Sequence, residues 1–195
     1  MEGFEMRLML LLGLLLANAA HAATVFTGLD VSFTKDPFAD PQLAENQDFL
    51  TDNVSLTRAS VEGLFNAAAE GGFDDGSPAG TLWAFAGLNG NPDDISADDF
   101  AALNFTDWTS SLGGQGELAF NILDRLGVIY LVEDDIYLEV LFTDWGRGGG
   151  AGGSFSYLRS DLSAIPVPAA LPLLLSGLLG LGFLGRRSRS ASQRA

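Results

Sequence analysis

The sequence predicts an all-β body of the β-sandwich or jelly-roll type, with an N-terminal signal peptide before it and a C-terminal transmembrane helix after it. Three observations predict the body. Residues 24–164 contain 18 glycines and 18 aromatic residues. Their clearest hydrophobic patterns alternate with period two, and runs with helical spacing are few. Short strands joined by tight turns have this composition and this pattern.

The clearest strand is predicted over residues 136–145. Leu138, Val140 and Phe142 fall on one face of this run, and polar residues alternate with them, as in a half-buried strand. The acidic tripeptide 133–135 precedes the run and favours a turn. We therefore expect a hairpin that pairs this strand with the apolar run before the turn.

Six further strands are predicted from shorter runs of β-branched and aromatic residues. They are 24–33, 54–58, 80–86, 102–108, 127–132 and 154–159. Residues 60–69 have helical potential, which Gly63 weakens. Ser96 precedes acidic residues and could cap a single helical turn. A turn is expected at 89–92, and the glycine-rich run 146–153 is expected to be a loop.

The charge is distributed unevenly along the chain. The whole sequence has a net charge of −15, whereas residues 24–164 contain 23 acidic and 5 basic residues. Such an acidic body excludes electrostatic binding of nucleic acid, because phosphate attraction needs a basic patch. Cysteine is absent and the only histidine is His21, so thiol catalysis, histidine catalysis and histidine-based metal sites are excluded from the body.

Residues 1–22 are predicted to be a signal peptide. An apolar run follows Arg7 and ends near Ala20 and Ala22, which flank one position as in a small-x-small cleavage site. We expect signal peptidase to cleave after Ala22. Met6 is an alternative start, because the basic residue then follows the initiator directly.

A second apolar segment is predicted to form a transmembrane helix over about residues 169–185. These 17 residues contain no charge. As a helix they are ~25 Å long, slightly less than a hydrocarbon core of about 30 Å. Arg186, Arg187 and Arg189 are the predicted membrane stop, and they place a disordered tail, 190–195, on the cytoplasmic side.

A proline-containing signature precedes this apolar segment. Val167, Pro168, Ala169 and Pro172 are followed in order by the apolar segment and the arginines. Residues 165–189 therefore resemble the PEP-CTERM sorting signal in its VPLPA variant, although Pro-Val-Pro stands where the commonest form has Pro-Glu-Pro. The resemblance implies a Gram-negative bacterium in which a membrane-embedded exosortase removes the tail and passes the protein to the cell surface or extracellular polysaccharide matrix.

Short motifs in the body carry a second resemblance. Residues 52–58, 63–66, 77–84, 134–137, 142–145 and 155–160 are similar to an uncharacterised β-rich module of exported bacterial proteins that carry sorting tails. The resemblance implies export and implies no enzymatic activity or ligand.

Acidic pairs in predicted loops are candidates for calcium binding, because calcium prefers carboxylate and carbonyl oxygens. The candidates are Asp74, Asp75, Asp93, Asp94, Asp98, Asp99, Asp134 and Asp135. Their spacing does not match an EF-hand. A solvated acidic surface that keeps an exported protein in solution is the interpretation we favour, so we expect no cofactor, with calcium as the alternative.

Aromatic and glutamate side chains suggest two further interpretations. Trp83, Trp108, Trp145 and Tyr157 could stack on sugar rings, or they could form the core. Glycoside hydrolysis needs a pair of carboxylates. The candidates are Glu62, Glu70, Glu117, Glu133 and Glu139, and the pattern selects no pair of them. We therefore expect no enzyme.

Together these features predict an exported protein that is sorted to the cell surface or matrix and has a structural or interaction role. Its expected partners are signal peptidase, an exosortase-type protease, the membrane before processing, and an exopolysaccharide. Its body is expected to lie in the periplasm while the helix is transiently anchored in the inner membrane. The alternatives are a calcium- or carbohydrate-binding surface module and, less favoured, a carboxylate-based glycoside hydrolase.

Overall fold

The structure is a computed structural model that describes residues 22–163. Residues 22–160 belong to one compact unit. Residues 161–163 belong to a second unit, in which the Ser163 N–H donates a hydrogen bond to Asp161 Oδ1 over 2.8 Å. Except for Ala22, the predicted signal peptide lies outside the described residues, as do the sorting signal and the tail. No helix in the described range is long and apolar enough to cross a membrane.

The first unit is mostly β, which confirms the predicted all-β class. Its strands are β1 (Thr24–Phe26), β2 (Val31–Lys35), β3 (Asp48–Phe49), β4 (Ser55–Arg58), β5 (Leu64–Asn66), β6 (Thr81–Phe85), β7 (Leu126–Leu131), β8 (Ile136–Trp145) and β9 (Phe155–Arg159). Its helices are short: α1 (Trp108–Ser111), α2 (Leu118–Asn121), and 3-10 turns at Ala44–Asn46, Ala97–Ala102 and Gly149–Ala151.

The larger sheet has six strands, and its order is β2-β9-β8-β7-β6, with β1 parallel to the start of β8. The predicted hairpin is confirmed, since β7 and β8 pair antiparallel on either side of the acidic turn. The predicted strand at 154–159 is also confirmed, because β9 pairs with β8 and β2. The strong alternation of β8 explains its central place, as one face packs inward throughout.

A β-bulge in β8 brings two aromatic residues onto one face. Phe142 pairs with Tyr157 and Trp145 pairs with Phe155, so three positions along β8 span two along β9, with the register shift at Thr143. Without this extra residue, the period-two alternation would place Trp145 on the opposite face from Phe142. The bulge thereby adds Trp145 to the core.

The inward face of the larger sheet is largely aromatic. Trp83 and Trp108 meet edge to face with ring centroids 4.6 Å apart, and Phe142 lies 5.4 Å from Trp108. All three side chains are fully buried. Because α1 begins at Trp108, this contact is what holds α1 against the sheet. Aromatic pairs of this geometry add stability of about 0.5–1.5 kcal/mol beyond the area that they bury.

The smaller sheet has the order β3-β4-β5 and is antiparallel. Its side chains contact the inward face of the larger sheet at two points. Asp48 in β3 accepts hydrogen bonds from Tyr157 and Arg159 of β9. Arg58 at the end of β4 lies over the ring of Trp145, 3.7 Å from its centroid. The two sheets are therefore joined by a buried ion pair and by a cation–π contact.

A 3-10 turn covers part of the outward face of the larger sheet. Phe100, in the turn at Ala97–Ala102, packs with Ile95 and Leu103 against Ala84 and Val128. This second cluster explains why β6 and β7 are buried on both faces and why their sequences read as near-continuous apolar runs.

Three predicted elements differ from the structure. The predicted strand 24–33 is two strands, β1 and β2, because Gly28 has a φ of +90° and interrupts the extended backbone. The predicted helical segment 60–69 is wrong: it contains β5, which pairs with β4. All three residues of β5 are buried, and their pairing in the smaller sheet overrides a weak helical pattern.

The predicted strand 102–108 is also wrong. Thr106 forms an isolated bridge with Trp83, and α1 follows immediately. The reason is the cap, since the side chain of Asp107 accepts a hydrogen bond from the Ser110 N–H over 3.0 Å. The helical turn expected after Ser96 is present as the longer 3-10 turn described above.

Candidate functional site

A candidate site is a pocket of about 370 Å³ at the end of β4 and β8. We call it the Arg58 pocket. Its apolar walls are Phe73, Leu118 and Trp145. Its polar lining is contributed by Arg58, Glu62, Thr109, Gln115 and Arg147. The pocket therefore combines an apolar wall with two guanidinium groups, in a body that has only 5 basic residues.

Arg58 lies at the back of the pocket and is 4% exposed. Its Nε donates to the Glu62 carbonyl over 2.8 Å, and its Nη1 donates to the carbonyls of Gly146 and Ser154 over 2.9 and 3.1 Å. Within residues 22–163, Nη2 makes no hydrogen bond. The one enclosed side-chain polar atom without a partner in that range is Trp108 Nε1, so Arg58 Nη2 is not fully enclosed, and Arg58 lines the pocket.

The positive charge of Arg58 is not balanced by an ion pair. Among the described residues, Arg159 forms a salt bridge with Asp48, and Arg58 forms none. Burial lowers the pKa of Arg58 to about 10, and the charge of Asp144 opposes this shift. The charge of Asp144 acts on Arg58 without forming an ion pair with it. Burial of a cation that is not directly paired is unfavourable, so an anion in direct contact with Arg58 would be stabilised.

Arg147 forms the outer side of the pocket. It follows the first glycine of the loop 146–153, which the sequence predicted and the structure confirms apart from a 3-10 turn within it. Its guanidinium lies 4.8 Å from the ring centroid of Phe120. Phe120 is 69% exposed, so an open aromatic ring and a cation stand together beside the pocket.

A second, smaller pocket of about 230 Å³ is lined by Asn66 and by residues from the loops before β4, after β5, before β6 and between β7 and β8. The buried amide of Asn66 is fully used by the chain: its Nδ2 donates to the carbonyls of Asn53 and Ala79, and its Oδ1 accepts from the N–H of Ser55. Glu70 similarly accepts from Ser77 Oγ. These polar groups hold the loops together.

The buried charged side chains between the sheets also bond to each other and not to a ligand site. Asp48 Oδ2 accepts from Tyr157 Oη over 2.6 Å and from Arg159 Nε over 2.7 Å, while Oδ1 accepts from Arg159 Nη2 over 2.8 Å. Burial, followed by the charge of Asp48, raises the pKa of Tyr157 well above its ordinary value. This cluster is enclosed and joins the sheets.

The structure does not bring the calcium candidates together. Asp134 accepts from Thr51 and Asn53, and Asp135 accepts from Tyr130. The other candidates, Asp74, Asp75, Asp93, Asp94, Asp98 and Asp99, lie in separate exposed loops and turns. Nowhere among residues 22–163 do three or more acidic or histidine side chains converge in a group that could hold a metal ion.

The four aromatic candidates for sugar stacking form the core. Trp83, Trp108 and Tyr157 are fully buried, and Trp145 is 5% exposed. They therefore do not make an exposed platform, although Trp145 lines the Arg58 pocket. Of the five glutamates considered for hydrolysis, Glu62 lines this pocket and Glu133 lines the smaller one, so neither pocket holds a pair of them.

Sequence reasoning missed the Arg58 pocket. Its parts come from β4, from the region between β5 and β6, from the two short α-helices and from the end of β8, and no local pattern connects them. One signal was available: basic residues are scarce in the body, and two of its five line this pocket.

Comparison with known proteins assigns no function to the Arg58 pocket. No protein-family model, curated protein or solved structure matches the chain. Any function proposed for the protein therefore depends on its own residues.

Proposed function

We propose that the chain is an exported bacterial protein, sorted through a C-terminal signal of the PEP-CTERM/VPLPA type to the cell surface or the extracellular polysaccharide matrix. The observation that carries the proposal is the order of its segments. A signal-peptide pattern comes first, an acidic body follows, and a proline signature, an apolar stretch and arginines end the sequence. In this proposal signal peptidase and an exosortase-type protease process the two ends.

The place where the body ends supports this division. β9 ends at Arg159, and the next residue is anchored within the same unit: Ser160 Oγ donates to the Phe26 carbonyl and accepts from the Glu139 N–H, both over 3.0 Å. The proline signature begins several residues later, at Val167. A cut near the signature would therefore remove no strand of either sheet.

We infer a structural or interaction role for the body, as a sandwich-type module with two unequal sheets. After loss of both ends, residues 24–164 retain 23 acidic and 5 basic residues. Such a polyanion stays in solution outside the cell and repels anionic surfaces except where a local cationic pocket exists. The Arg58 pocket is such a place, and it favours a small-ligand interaction role over catalysis.

Deletion of residues 165–195 tests the sorting proposal. We expect the shortened protein to fold and to accumulate in the periplasm, with surface delivery reduced to background. The measurement is the surface fraction, determined by protease accessibility on intact cells. A matched control deletes only 190–195, which leaves the signature, the apolar stretch and the arginines in place, and it should be delivered normally. Unchanged surface delivery of the larger deletion would refute sorting by this segment.

A further inference from the structure

We propose that the Arg58 pocket binds the carboxylate of a single acidic sugar residue, a uronate. The inference gives a ligand to the interaction role proposed above and depends on that role for its biological meaning. The binding itself is a property of the described residues, so it can be measured on purified protein without any sorting step.

The first argument is charge. Of the five basic residues of the body, Arg159 is paired with Asp48, whereas Arg58 and Arg147 form no salt bridge within residues 22–163. Both line the same pocket. Hydrogen bonds between a guanidinium and a carboxylate are charge-assisted and strong. A carboxylate can accept from Nη2 of Arg58, the nitrogen that the chain leaves unused, while Arg147 neutralises it from the outer side.

The second argument is the apolar wall. Phe73 and Leu118 give the pocket lining apolar surface, Trp145 lines it beneath the guanidinium of Arg58, and the exposed ring of Phe120 stands beside Arg147. A small inorganic anion would make no use of this surface. The C–H face of a sugar ring can pack on it, and ring hydroxyls can reach the hydroxyl of Thr109 and the amide of the neighbouring loop residue Gln115.

The third argument is size. Ligand pockets in proteins span about 300–1,000 Å³, and the Arg58 pocket, at about 370 Å³, lies near the lower end. It therefore suits one ring and its substituents. A chain of several sugars would have to extend over the rim, where the body is acidic.

The fourth argument concerns the number of charges on the ligand. Glu62 also lines the pocket, and its carbonyl is held by Arg58. A carboxylate at this position opposes each added negative charge on a ligand. The two guanidinium groups are opposed by Glu62 in the lining and by the charge of Asp144 on Arg58, which favours a singly charged carboxylate over a doubly charged phosphate.

The test is titration of the full-length protein, purified in detergent, with glucuronate, glucose and inorganic phosphate. Calorimetry gives the affinities, and the three tryptophan indole N–H resonances report the place of binding. We expect glucuronate to shift the Trp145 resonance and to leave that of Trp83, whose Nε1 donates to Thr81, unchanged. We expect glucose to bind at least about 10-fold more weakly, since it lacks the charge-assisted hydrogen bonds. Absence of glucuronate binding, equal binding of glucose, or tighter binding of phosphate would overturn the proposal.

Two substitutions that each remove one charge give opposite expectations. Arg147→Gln should weaken glucuronate binding about 10-fold, because it removes one charged partner. Glu62→Gln should strengthen it several-fold, because it removes the opposing charge. Arg125→Gln is the control for net charge, since Arg125 bonds to the carbonyls of Ala86 and Asn121 and does not line the pocket. Arg58 is avoided because its guanidinium also holds three backbone carbonyls.

The control variant makes each outcome decisive. Equal losses of affinity for Arg147→Gln and Arg125→Gln would mean that only net charge matters. This result would contradict binding in the Arg58 pocket. Weaker binding by Glu62→Gln would contradict it as well. A failure of binding leaves the result of the tail deletion unaffected, and failed sorting leaves the titration unaffected, so the two proposals can fail separately.

Discussion

Replacing Gly153 with alanine lowers the free energy of unfolding by about 2–5 kcal/mol. A Cβ at this position would lie 1.7 Å from the carbonyl oxygen of Ala59, and the φ of Gly153 is +68°. Overpacking costs typically 1–3 kcal/mol, and the left-handed backbone conformation costs an L-residue about 1–2 kcal/mol more. The obstacle is backbone that directly follows β4, so it cannot be relieved by a side-chain rotation.

Gly148→Ala is the matched control for this substitution. Gly148 lies in the same loop and has a φ of +71°, but its Cβ would meet nothing within 4 Å. Its ψ of 171° places it in a backbone region that is essentially restricted to glycine. We expect the substitution to cost only this conformational part, about 1–3 kcal/mol. Urea denaturation of both variants measures the difference. Equal costs would show that the approach of Gly153 to Ala59 is not a tight contact.

The close approach at Gly153 also matters for the Arg58 pocket. It brings the loop 146–153 against the end of β4, where Arg58 Nη1 donates to the carbonyls of Gly146 and Ser154. Arg147 extends from the same loop into the pocket lining. The glycine-rich run is thus a loop whose ends are held in place, and it positions one of the two cations.

Asp48→Asn is expected to lower the free energy of unfolding by about 3–5 kcal/mol, the usual cost of removing one partner of a buried ion pair. Asp48 and Arg159 are 6% and 8% exposed. The carboxylate accepts two hydrogen bonds from Arg159 and one from Tyr157. The substitution removes the negative charge that these donors surround, at the one ionic contact seen between the two sheets of the described unit.

Tyr157→Phe is the control for the ion pair. It removes one hydrogen bond to the carboxylate and keeps both charges, so we expect the smaller loss of about 1.5–3 kcal/mol that is typical of a bond to a charged group. A double variant, Asp48→Asn with Arg159→Met, should recover part of the stability, because the buried charge is then absent. If Asp48→Asn alone costs less than about 1 kcal/mol, the ion pair does not join the sheets.

Much of the larger sheet could be predicted from the sequence, because its strands carry strong local patterns. The alternation of Leu138, Val140 and Phe142 predicts β8 and its buried face. The acidic turn before it predicts the hairpin with β7. The bulge at Thr143 could not be predicted, since it depends on pairing with β9, which lies ten residues further along the chain.

The errors arose where a local pattern competed with a contact that is distant in sequence. Residues 64–66 read as part of a helix, but their pairing with β4 makes them a strand. Phe105 and Trp108 read as a strand, but the cap at Asp107 begins α1 between them. The Arg58 pocket could not be predicted for the same reason, because its lining runs from Arg58 to Gly148.

The most direct test of the central claim is mass spectrometry of the two ends of the protein recovered from the cell surface. Export and sorting predict a chain that begins at Ala23 or Thr24 and ends near the proline signature, without Arg186, Arg187 and Arg189. The folded residues up to Ser160 should be intact. Recovery of surface protein that still carries residues 1–22 or these arginines would contradict the account.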